Sequence, residues 1–131
     1  MEKNLLSQIN LLSRYALAFV FIYHGLVPKI LWLSPIEAQL TNAHGLEASV
    51  MSPLAGVLEI LLGLSILLIR KSLMPIYVAM LLLAGLLLDV IIIMPNLLIE
   101  AFNPVTINIV SMVLGYMICL THQRVKKATK R

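Results

Sequence analysis

Residues 21–33 read FIYHGLVPKILWL. His24, Pro28 and Lys29 stand within six residues of one another, in a run of otherwise large apolar side chains. Whether this stretch crosses a membrane decides the fold. An ionisable group at the centre of a bilayer costs at least about 2.5–3.5 kcal/mol, so a span that keeps one needs a reason for it.

Composition answers the first half of that question. The chain has 131 residues, 60% hydrophobic and 12% charged, with a mean hydropathy of +0.97. Soluble domains are roughly 45–50% apolar and about 25% charged, so the charge here is too sparse to cover a soluble surface. A membrane-crossing helix needs about 17–25 mostly apolar residues. Four segments meet that requirement, at residues 12–33, 53–69, 73–94 and 104–121. The expectation is an all-α integral membrane four-helix bundle, with residues 1–131 forming one transmembrane domain.

The first apolar run carries no small-residue cleavage site and three further spans follow it, so it does not read as a cleavable signal peptide. Cys119 is the one cysteine. It excludes an intramolecular disulfide, offers no metal cluster and reads as a small packing residue. No metal site is expected.

Charge sets the orientation. If both termini and the RKS turn at 70–72 face the cytoplasm, every lysine and arginine except Lys29 lies on that side. The positive-inside rule then gives N-in and C-in, in the inner membrane if the chain is bacterial. The tail HQRVKKATKR at 122–131 reads as an anchor on anionic lipid. The expected partner is the lipid bilayer rather than nucleic acid, because the basic residues hug span ends and lack an aromatic platform.

The first outer loop, SPIEAQLTNAHG at 34–45, is punctuated as a short helix. Ser34 can cap it, Pro35 suits its first turn, Glu37 completes a capping-box spacing and Gly45 suits its exit. Ile36, Leu40 and Ala43 fall on one side, which predicts an interfacial helix on the outer membrane surface.

The polar residues inside the spans are Arg14, His24, Lys29, Glu59, Asp89 and Asn108. At 1.5 Å per residue, His24 and Glu59 lie within about 2–3 Å of mid-span, and Lys29, Asp89 and Asn108 roughly 6–10 Å towards the outer side. All but Arg14 therefore share the outer half. Small and polar residues also follow helical stripes. Ser52, Gly56, Glu59 and Gly63 do so on the second span, and Asn108, Ser111, Gly115 and Cys119 on the fourth. Gly85 and Asp89 stack on the third, and Ala18, Gly25 and Lys29 on the first. Small residues let membrane helices approach closely and polar ones bond across the contact, so each helix is predicted to turn this face inward. Pro28 cannot donate to the carbonyl of His24, and a kink there would widen the outer half of the bundle.

The residues leave alternatives open. Lys29 could snorkel to the interface. His24 could bond Glu59 for packing alone, Glu59 could belong to a purely structural buried pair, and Asp89 could pair with Lys29 or act as a cap. Arg14 reads as a cytoplasmic anchor.

The run RYALAFVFIYHGLVPK, followed by AGVLEILLG and then AFNPV with a further asparagine, resembles the DoxX-like membrane proteins over roughly residues 14–116. Arg14, His24, Gly25, Pro28, Lys29, Gly56, Glu59, Gly63, Asn103, Pro104 and Asn108 occupy that family's motif positions, and Asp89 does not. The resemblance implies a four-helix membrane bundle. The wider family takes its name from a small subunit of a thiosulfate:quinone oxidoreductase.

Three functions follow as expectations. The first is a ligand-binding accessory subunit of a quinone-linked redox system, in which His24, Lys29, Glu59, Asp89, Asn103 and Asn108 form the polar site. The chain has no cofactor motif, so catalysis would need a redox partner protein. The second is a non-enzymatic binder or carrier of a small polar or amphiphilic molecule, which as a carrier would need to form a homodimer. The third is a purely structural subunit.

Overall fold

The computed structural model describes residues 2–129, with side chains over 3–126. The last basic residues of the tail therefore lie outside the described part. Helix α1 spans Glu2–Leu26 and runs into a π-helical turn at Val27–Leu31. Helix α2 is Pro35–Ala43, α3 Ala48–Leu68 and α4 Met74–Ile93. A 3₁₀ turn at Pro95–Ile99 leads into α5, Pro104–Thr129. All regular structure among the described residues is helical. Among the described residues, four helices are long and apolar enough to cross a membrane: α1 with its π turn, α3, α4 and α5. Their outward faces carry bare side chains such as Leu12, Phe19, Leu61, Leu81 and Ile92. Large apolar groups facing out on every side suit lipid rather than water.

Helix α1 is the hub. It packs along α3 on one side and α5 on the other, α4 packs chiefly on α5, and α3 and α4 meet only sparsely. The α1–α3 contact is a backbone crossing at Gly25 and Gly56. A Cβ placed on either glycine would run into the other's carbonyl oxygen. Further along the same seam, a Cβ on Gly63 would come within 2.7 Å of Ile22 Cγ1 and 3.0 Å of the Ala18 carbonyl. The small-residue stripes of the first and second spans thus mesh with each other. The stripe on the third span does not: Gly85 is exposed, and a Cβ added there would meet nothing within 4 Å. Helix α4 is apolar on all sides apart from Asp89 and turns Ile76, Ala79 and Leu83 to the core instead.

The half of the bundle nearer the chain termini is filled. Leu17, Phe21, Ile66, Ile76, Ala79 and Ile118 form its core. Arg14 lies at this end, yet it is not a surface anchor. It is 1% exposed, and its guanidinium donates to the carbonyls of Ile66 at 2.9 Å and Arg70 at 3.4 Å and to Asn10 Oδ1 at 3.1 Å. Asn10 in turn donates to the Ile118 carbonyl and Thr121 Oγ1 on α5. The last carbonyls of a helix have no intrahelical donor. Arg14 supplies one for α3 from inside the bundle, which gives a buried cation a reason to be there.

Two outcomes check this packing. Gly56→Val is expected to lower stability in mild detergent by about 2–3 kcal/mol through forced separation of α1 and α3, whereas Gly85→Val changes it by less than about 0.5 kcal/mol; thermal unfolding of the two variants side by side makes the comparison. Arg14→Met strands the carbonyls at the end of α3 and is expected to cost about 1–3 kcal/mol in the same measurement.

Candidate functional site

The half of the bundle at the α2 end is hollow. A cavity of about 750 Å³ opens there between α1, α3, α4 and α5, under α2. Most of its wall is apolar, from residues such as Phe21, Leu58, Leu83, Leu86 and Ile107. His24, Lys29, Glu59, Asp89, Asn103 and Asn108 all border it.

The first wall is built by Pro28. Its ring lacks an N–H, so the α-helical bond to the carbonyl of His24 cannot form. The chain opens into a π turn closed by Trp32 N–H to Val27 O at 3.0 Å, and Ser34 N–H reaches Pro28 O at 2.9 Å. π turns of this kind occur inside α-helices, often at functional sites. This one sits one turn beyond the Gly25–Gly56 crossing, so Lys29 emerges against α3 and is only 7% exposed. Its ammonium donates to Glu59 Oε1 at 2.8 Å and lies 3.3 Å from Glu37 Oε2. Lys29 therefore does not snorkel to the interface. It bridges the π turn, α2 and α3.

Glu59 takes its partner from Lys29 rather than from His24. Its second oxygen, Oε2, is buried with no hydrogen-bond partner, in a side chain that is 9% exposed. His24 stands open on the cavity wall with its ring edge-on to Tyr23, centroids 6.4 Å apart. Asn108 is 7% exposed and gives one amide hydrogen to the Pro104 carbonyl at 2.8 Å, which leaves its Oδ1 as an acceptor and its second amide hydrogen as a donor. Asn103 is occupied as the cap of α5: its amide donates to the Glu100 carbonyl at 3.0 Å and its Oδ1 accepts from Thr106 N–H at 3.0 Å. Pro104 opens that helix, where a missing N–H costs nothing.

Helix α2 forms as its sequence punctuation predicts. Ser34 Oγ accepts from Glu37 N–H at 3.1 Å, and Gly45 leaves the helix end at φ 72°. It buries no residue fully, and its ties to the bundle are polar. Glu37 reaches Lys29 on the π turn, Thr41 bonds Ser52 on α3 at 3.0 Å, and His44 Nε2 lies 3.1 Å from Asp89 on α4. Asp89 thus pairs with His44 and not with Lys29. Three polar clasps hold α2 as a roof over the hollow. The sequence alone casts Glu37 as a cap and the loop as a surface helix, so the docking roles of Glu37, Thr41 and His44 stay hidden in it. Their i, i+4, i+7 spacing is the signal that points to them. Among the described residues, no three His, Cys, Asp or Glu side chains gather as a metal set.

The triad of Lys29, Glu37 and Glu59 makes a sharp stability test. Removing one partner of a buried ion pair leaves an uncompensated charge and costs about 3–5 kcal/mol, while an apolar replacement of the whole pair is often neutral. Lys29→Met is expected to destabilise the protein by that amount, and adding Glu59→Leu to recover most of the loss, as read by thermal unfolding in detergent.

No curated protein and no solved structure matches this chain. The family comparison covers the whole of this site while leaving out Arg14 and the polar belt around it. From Ala18 at the α1–α3 seam to Tyr116 on α5, residues 18–116, the chain matches the model of the DoxX-like family, and it belongs to that family.

Proposed function

We propose that this protein is a ligand-binding subunit of the membrane that takes an amphiphilic molecule into the hollow beneath α2, in the service of a quinone-linked redox system. The observation that carries this reading is the contrast within one cavity. About 750 Å³ of largely apolar wall ends in a small set of polar groups, of which one buried carboxylate oxygen has no partner. Small-molecule sites run to about 300–1,000 Å³ with mostly apolar walls and a few placed polar groups. A molecule with a flat apolar body and polar oxygens, such as a quinone or its quinol, suits that division. The sparse contact between α3 and α4 leaves a side through which such a molecule can enter from lipid.

The basic residues cluster at the end opposite α2, so the cavity lies towards the outside with both termini in the cytoplasm. His24, with one ring nitrogen to donate and one to accept, and Glu59 are the groups placed to exchange protons with a quinone head. The electrons would come from a redox partner protein that carries a cofactor.

Mass spectrometry of organic extracts from the protein purified in mild detergent tests this. Wild type is expected to yield a quinone or its quinol at near-stoichiometric amount, and Leu58→Trp, which fills the cavity from α3, to lose most of it. A different amphiphile lost in the same way would point to a carrier, and an empty wild-type protein would leave the polar groups a structural role only.

A further inference from the structure

The polar end of the cavity holds one buried acceptor that no donor meets, Glu59 Oε2. Lys29, its strongest donor, already serves two carboxylates, Glu59 at 2.8 Å and Glu37 at 3.3 Å. Thr41 and Ser52 bond each other, and His44 is taken by Asp89. Glu59 Oε2 is buried and unpartnered, while Asn108, which spends one amide hydrogen on Pro104, and His24 on the open wall each keep both a donor and an acceptor. A carboxylate in an ion pair accepts hydrogen bonds and cannot donate them. A buried acceptor left unmet costs about 1–3 kcal/mol, more when it is charged.

We propose that the site selects its ligand by a neutral donor: the head group that settles against Glu59 carries a hydroxyl, so that of two molecules with the same skeleton the hydroquinone is held more tightly than the quinone. A quinone head offers acceptors alone and would leave Glu59 Oε2 as it is. An ammonium head would meet the positive charge of Lys29, which a neutral hydroxyl avoids. The inference rests on the amphiphile-binding reading above and gives it a direction: the site retains the reduced form.

The test uses the full chain in mild detergent under nitrogen, titrated calorimetrically with a decyl-substituted hydroquinone and with the corresponding quinone. The hydroquinone is expected to bind about tenfold tighter or more, the worth of one hydrogen bond to a charged acceptor. In Glu59→Gln, Lys29 can only donate and so takes the amide oxygen, which turns the NH₂ to the place of Oε2; the preference is then expected to vanish or invert. Equal affinity for the two forms, or tighter binding of the quinone, overturns the donor rule while leaving the amphiphile reading in place. A preference that survives unchanged in Glu59→Gln overturns its assignment to Glu59. Binding of neither form overturns both.

Discussion

The backbone crossing of α1 and α3 at Gly25 and Gly56 governs this protein. Both glycines lack the Cβ that would collide with the facing carbonyl, and close approach of this kind is how membrane helices gain packing without a hydrophobic drive between them. The crossing has a second effect. The two helices run in opposite directions, so Lys29, four residues after Gly25, and Glu59, three after Gly56, flank the crossing on either side, and the long side chain of Lys29 reaches across to Glu59 at 2.8 Å. The place where the two helices press closest therefore determines which ionisable side chains face each other nearly buried at the edge of the cavity.

Two polar belts divide the bundle. At the end of the termini, Arg14 and Asn10 tie α1 to α3 and α5 through bonds to backbone carbonyls and to Thr121, and apolar side chains fill the space between. At the α2 end, the groups that could have closed the bundle pair along its rim instead, through Lys29, Thr41–Ser52 and His44–Asp89. One end is thus solid and the other hollow. The same kind of residue, a buried cation, completes a helix end in the first belt and holds a carboxylate beside a cavity in the second. The difference lies in what each faces: Arg14 faces carbonyls that need donors, and Lys29 faces charges that need balance.

Helix α2 joins these levels. Its local sequence makes it a helix through Ser34, Pro35 and Gly45, and its spacing of Glu37, Thr41 and His44 decides where it docks. It buries no residue fully, so its position depends on polar contacts that salt, pH and ligands can all influence. That is a property suited to a roof over a cavity rather than to a structural wall.

The sequence by itself determined that the chain crosses a membrane four times, since four apolar runs in so sparsely charged a chain have no soluble solution. It also determined the faces of α3 and α5, because small and polar side chains at helical spacing have few places to go in lipid, and it gathered His24, Lys29, Glu59, Asp89 and Asn108 in the same half of the bundle, where all five border the cavity. The pairings among them were beyond its reach. That Lys29 rather than His24 meets Glu59, that Asp89 meets His44, and that Arg14 turns inward are consequences of helix rotation and of a π turn, which depend on contacts between distant segments. Helix α4 shows the limit most plainly: apolar apart from Asp89, it carries no stripe strong enough to set its own rotation, and Gly85 ends outside. Local spacing sets which side chains share a face, and only tertiary packing sets which faces meet.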